Sequence, residues 1–195
     1  MPPRRRTIEL TDPRALRAVA HPVRLALIGA LRRQGPLTAT QAGALIGESA
    51  TTCSFHLRQL AKYGLVEEAG GGRGRERPWR ATAWFTSWPG SASDPKQAAA
   101  VELLNSVVAE RYFDRVLRWL ERQAEEPPEW QNAAHFGDTS GYVTAAELED
   151  LRERLDQLLE PYGERARNPE LRPPDARLVT FIRLAFPDDD GSKEP

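Results

Sequence analysis

Two helix starts lie almost against each other in the first third of the chain, and that closeness restricts the fold more than any other feature. Thr38 is followed three residues later by Gln41, a reciprocal capping pair, so a short helix opens there, carries Ala42, Leu45 and Ile46, and closes at Gly47. Ser49 caps the next helix, which runs through Tyr63 to Gly64. Only Gly47-Glu48 separates them. A connection that short turns the second helix sharply across the first, which is the arrangement of a helix-turn-helix.

The flanking segments complete a small domain around this pair. Asp12-Pro13 offers a cap and a first-turn proline to a helix carrying Leu16, Val19 and Ala20, and His21-Pro22 repeats the device for a helix that buries Leu25, Ile28 and Leu31 before Gly35-Pro36 ends it. After Gly64, residues 65–69 and 78–82 read as two strands around the glycine-arginine loop from Gly70 to Arg77. The reading for residues 12–86 is therefore a winged helix-turn-helix, mostly α with a two-stranded wing, preceded by a flexible basic tail over residues 1–11.

Residues 87–93, rich in proline, glycine and serine, read as a joint. Beyond it Asp94, Pro95 and Gln97 open a helix whose apolar positions continue through Val101, Leu104, Val108, Tyr112, Val116 and Trp119 to a stop at Pro127-Pro128. Such a helix is roughly 45 Å long, more than the small first lobe can cover, so it needs a further surface. Residues 130–143 read as loop plus one strand. Thr144 and Glu147 form another capping box for a helix with Leu148, Leu151, Leu155, Leu158 and Leu159, ending at Pro161. Residues 177–186, apolar on both faces, read as a strand, and residues 188–195 as a disordered acidic tail. The expected class is α+β: the winged helix-turn-helix, then a smaller α/β lobe over residues 94–187 containing the long helix.

Charge divides along the same line. Residues 1–90 hold 14 Lys and Arg against 6 Asp and Glu, and residues 91–195 hold 13 against 22, so a balance of +8 faces one of -9. The first part is suited to a polyanion. One cysteine, Cys53, excludes a disulfide framework and a cysteine-built zinc site, no apolar stretch is long enough to span a membrane, and no apolar signal follows Arg4, Arg5 and Arg6; the cytoplasm is the expected compartment. HExxH and GxSxG motifs are absent, and the three histidines are scattered, so neither an enzyme nor a cofactor or metal protein is expected.

On the helix from Ser49, residues Cys53, Leu57 and Leu60 share one face and pack inward, while Thr51, Phe55, Arg58 and Lys62 fall opposite. Base edges in the major groove are met by the first turns of such a helix, which nominates Thr51, Thr52, Ser54 and Phe55 as readers, with Phe55 suited to a thymine methyl. Arg58 is placed for guanine or phosphate, Lys62 for phosphate, and Arg73, Arg75 and Arg77 of the wing for a minor groove or the backbone.

Four ordered motifs, His21-Pro22-Val23-Arg24-Leu25, Leu37-Thr38-Ala39-Thr40, Phe55-His56-Leu57-Arg58-Gln59-Leu60 and Gly64-Leu65-Val66, together resemble an ArsR-type winged helix-turn-helix regulator. The resemblance covers residues 12 to 85. It implies a homodimer on a two-fold double-stranded DNA operator, acting as a repressor. Metal-sensing members carry a Cys-x-Cys pair near the third helix, and residues 38–46 contain no cysteine. The alternative from another class is a winged helix that docks proteins without sequence-specific DNA binding. For the C-terminal lobe the expectations are dimerisation by the long helix, or a small-molecule effector among Trp84, Trp88, Trp119, Trp130 and Tyr142.

Overall fold

Each N-cap side chain expected from the sequence accepts an amide of its helix's first turn. The structure, a computed structural model, describes residues 7–72 and 76–188 and divides into two units, residues 1–134 and 135–195. In the first unit, β1 (Thr7–Glu9) precedes α1 (Pro13–Val19), where Asp12 accepts the Arg14 N–H at 2.9 Å. His21 Nδ1 accepts the Val23 N–H at 3.2 Å and starts α2 (Pro22–Gln34). Thr38 and Gln41 cap each other reciprocally at α3 (Ala39–Ile46), and Ser49 Oγ accepts the Thr52 N–H at 3.0 Å at α4 (Ala50–Ala61). Each satisfied amide is one that the first helical turn would otherwise leave unpaired.

The wing strands are β2 (Val66–Glu68) and β3 (Trp79–Ala81), antiparallel, with Val66 opposite Ala81. Leu37 and Trp79 exchange backbone hydrogen bonds, which ties the wing to the entrance of α3. A further pair was not foreseen. β4 (Phe85–Ser87) runs parallel to β1, and Leu10 is buried just after it, so residues 7–10 belong to the fold and are not part of a tail. Arg32 braces this edge from α2: its Nε donates to the Ala83 carbonyl at 2.9 Å and its Nη2 to Thr86 Oγ1 at 2.7 Å. Burial pulls its guanidinium down to about 10, which still leaves it charged at neutral pH.

One contiguous core joins Leu16, Val19, Leu27, Ile28, Leu31, Ala42, Cys53, Leu57, Leu60, Leu65 and Val66, and it also includes Ala100, Val101 and Leu104 of α5 (Pro95–Arg122). The long helix expected to open the second lobe therefore contributes its first turns to the core of the first unit. Its cap is half of the expected box. Asp94 accepts the Gln97 N–H at 2.8 Å, but Gln97 Nε2 reaches the Thr11 carbonyl at 2.9 Å and pins the helix to the approach of α1. Farther along, Phe113, Leu117 and Leu120 are exposed.

The stretch from 130 to 143, expected to hold a strand, instead continues α6 (Pro128–Ala133) and then has neither helix nor strand. In the second unit α7 (Ala145–Arg167) starts at the Thr144–Glu147 capping box and passes straight through Pro161, where the sequence predicted a stop. A proline costs a helix one hydrogen bond, and here the helix carries on for another turn and a half despite that loss. The strand expected over residues 177–186 is not formed. A strand needs a neighbour for its N–H and C=O groups, and among the described residues of this unit no other strand exists to pair with it. Arg183 instead donates to Asp156 of α7 at 2.7 Å.

Candidate nucleic-acid interface

α4 is held from behind and open in front. Cys53, Leu57 and Leu60 are fully buried, while Phe55 on the opposite face is 51% exposed. At α4's start the chain turns on Gly47, which adopts the left-handed region (φ 76°), and beneath that turn Gly43 lies so near the Glu48 carbonyl that a Cβ there would sit 2.5 Å from its oxygen. No side chain fits at residue 43 without moving α4 away from α3. The tight turn read from Gly47-Glu48 thus depends on a second glycine, four residues earlier, that the motif did not single out.

The reading face is organised by short contacts. Arg58 Nη2 donates to Ser54 Oγ at 2.8 Å, aligning two of the predicted residues one turn apart. Thr51 is exposed on the first turn. Thr52 is half-buried and its hydroxyl lies 2.8 Å from that of Ser49, so it serves the cap as well as facing outward. Lys62 is exposed at the C-terminal end of the helix.

Residues 19–69 match the family model described as a helix-turn-helix domain. This segment is a helix-turn-helix domain. With the β2–β3 hairpin behind it, it is a winged one. A crystal structure of a possible transcriptional regulator for arsenical resistance is 27% identical over 53% of this chain and 93% of its own, with a TM-score of 0.31. No curated protein matches the chain.

The helix-turn-helix domain contains a polar group that sequence reasoning passed over. His56 is buried, its ring centroid 4.5 Å from that of His21, and its Nδ1 accepts from Arg24 Nε at 3.1 Å; Arg24 Nη1 donates to the Ala18 carbonyl at 2.8 Å. Burial first, then the neighbouring His21 and Arg24, hold the His56 imidazole below its ordinary range; for His21 the causes are burial and then Arg24. Both rings are neutral at pH 7. The cluster joins α1, α2 and α4 directly behind Phe55, whose ring meets His56 edge-on at 5.2 Å. Its signal was present in position: residue 56 falls beside Cys53 and Leu57 on the inward face, where a polar side chain needs a partner.

In the wing, Arg77 Nη1 lies 3.3 Å from Glu68 Oε2 and Arg80 Nε 2.8 Å from Glu67 Oε1, so these cations are partly answered across the hairpin. Arg73 and Arg75 lie outside the described residues, as do Arg4, Arg5 and Arg6. Beside the C-terminal end of α4, Arg14, Arg17 and Arg24 line an open cleft of about 310 Å³ with Ala18, Gln59 and Tyr63. The five aromatic residues expected around an effector line neither this cleft nor the one at Gly90–Ala92. Trp88 packs on the core and donates to Asn105, Trp119 lies under Arg122, and Tyr142 is fully exposed. Among the described residues no helix is long and apolar enough to cross a membrane, and no cluster of side chains is arranged to hold a metal ion.

Proposed function

We propose that the protein is a cytoplasmic, homodimeric repressor that binds a specific two-fold sequence in double-stranded DNA. The observation that carries this reading is the outer face of α4: Thr51, the half-buried Ser54 and Phe55 face outward on its first turns, with Arg58 exposed in the last, while the opposite face is locked into the core. Those turns enter the major groove, where Phe55 meets a thymine methyl and Arg58 a guanine edge or a phosphate. Lys62, the arginines of the Arg14–Arg17–Arg24 cleft and wing residues Arg73, Arg75 and Arg77 meet the backbone and the flanking groove. The dimer forms through α5, whose exposed Phe113, Leu117 and Leu120 are spaced to make one stripe for a second copy. In this reading residues 12–86 read DNA and residues 94–187 hold the dimer together.

Selection of duplexes from a random pool, followed by anisotropy titrations over a range of salt, tests this reading. A recovered two-fold motif and affinity that falls steeply with salt support it; no duplex bound at low salt sinks it. Arg58→Ala should lose about 1 to 3 kcal/mol at the selected site if the guanidinium reads guanine, and less, with unchanged preference, if it holds phosphate. Unchanged affinity removes Arg58 from the interface.

A further inference from the structure

The middle of α5 is amphipathic in reverse. Arg111, Arg115 and Arg118 follow at i, i+4 and i+7 and share one face, and the other face carries the exposed Phe113, Leu117 and Leu120. A helix on a folded domain ordinarily turns its apolar stripe inward and its charges to water. Here Arg111 and Arg115 are half-buried and the arginine face turns toward α2.

Arg33, in the last turn of α2, completes the group. Its Nη1 lies 3.0 Å, and Arg111 Nη2 3.3 Å, from the point where a Cβ on Gly29 would stand, so two guanidinium tips from different helices converge over one bare stretch of α2. Burial is the largest reason the Arg111 guanidinium is held below its ordinary range, and the next are the charges of Arg115, Arg33 and Arg118, with Tyr112 acting in the opposite direction. Arg115 responds to burial and to Arg33 and Arg118 in the same way. No carboxylate is among these influences.

Several other arginines of this unit are answered: Arg24 by His56 and the Ala18 carbonyl, Arg32 by Ala83 and Thr86, Arg77 and Arg80 by glutamates. Among the described residues, Arg33, Arg111 and Arg118 have no hydrogen-bond or ion-pair partner. Arg111 is half-buried with the exposed Arg33 guanidinium converging on it, and like charges drawn together at a partly buried point cost free energy that a bound anion offsets.

We propose that Arg33 and Arg111, with Arg115 and Arg118 farther along the same face of α5, form a receptor for a small oxyanion, the phosphate or carboxylate group of a soluble effector, in the cradle over Gly29. Guanidinium forks suit such groups because two parallel N–H donors meet two oxygens, and two forks from different helices enclose one anion from two sides. Gly29 keeps that floor free of a side chain. The site lies on α2 and α5, and involves none of the residues assigned to the reading face of α4.

The test is calorimetric titration of the full-length protein with pyrophosphate and, separately, citrate, against sodium chloride of equal ionic strength, with no DNA present. Saturable binding of either is expected, accompanied by a rise in melting temperature with concentration; the tighter of the two distinguishes a phosphate-bearing effector from a polycarboxylate. Arg111→Gln and, on the other helix, Arg33→Gln should each weaken that binding at least tenfold while the unliganded variants melt no lower than the parent, because each substitution relieves repulsion. Absence of saturable binding of both anions, or variants that bind as tightly as the parent, overturns the proposal. It is also overturned if both anions fail and Arg111→Gln instead weakens duplex binding, which would assign the cluster to the DNA backbone.

Discussion

α4 and α7 begin alike and end differently. Each is opened by a hydroxyl side chain that accepts an amide three residues on, from Ser49 to Thr52 and from Thr144 to Glu147. Yet α4 buries Leu57 and Leu60 completely, and α7 leaves Leu151, Leu155 and Leu158 exposed, Leu158 by 66%. Caps and periodicity decide that a helix exists and which face is apolar; whether that face is covered depends on what the rest of the chain brings to it.

The largest expected effect tests that contrast directly. Leu57→Ala should cost about 2 to 5 kcal/mol in urea unfolding, because it opens a cavity in a closed core. Leu158→Ala should change stability by about 0.5 kcal/mol or less. A large loss at Leu158 that grows with protein concentration would show that a second copy covers α7 and would break the comparison.

Gly43→Ala comes next. Its methyl group collides with the Glu48 carbonyl, and prying α3 from α4 should cost about 1 to 3 kcal/mol, read by thermal melting, with a matching loss of DNA affinity. Melting unchanged by the substitution would mean that the turn has slack.

At the caps the two helices should behave alike: Ser49→Ala and Thr144→Ala are each expected to lose about 1 kcal/mol of local stability, measured by amide hydrogen exchange of the first turn. A much larger loss at only one of them would show that the cap there also carries tertiary structure.

The smallest effect separates the helices by pH. His21 and His56 titrate below their ordinary value of 6.5 in the fold, so protonation favours the unfolded chain, and the stability they confer is present above pH 6.5 and lost as pH falls through the folded values. Glu147, held below its ordinary 4.5 by the Thr144 backbone and hydroxyl, supports α7 above pH 4.5 and gives up that support as pH falls through its lowered value. Melting of the first unit should therefore soften in mild acid while α7 keeps its helicity by circular dichroism. His56→Gln should blunt the first response, and an unaltered profile in that variant would remove the histidines from the explanation.

Features that depend on neighbours in sequence were legible: the caps, the inward stripe Cys53–Leu57–Leu60 and the wing hairpin all follow from spacing alone. Features that depend on distant partners were not. β1 and β4 are three residues each and meet across most of the first unit, too short to show a period. The His21–Arg24–His56 cluster needs three helices to be assembled before it exists. Residues 177–186 failed in the opposite sense, since a strand-like pattern without a pairing partner remains only a pattern. For the reading face, the wheel identified which side of α4 is outward, but not that Ser54 and Arg58 are joined or that Thr52 is shared with the cap.

Cys53 is the single thiol of the whole chain, and it is enclosed between α4 and the close approach of α3, with its Sγ 3.5 Å from the position of a Cβ on Gly43. Burial, and then the charge of Glu48, raise its pKa and leave it a poor nucleophile while the domain is shut. Its rate of alkylation is consequently a clock for the opening of the helix-turn-helix, carried by the native chain and needing no introduced label. Any duplex or anion that keeps the domain closed will slow that clock.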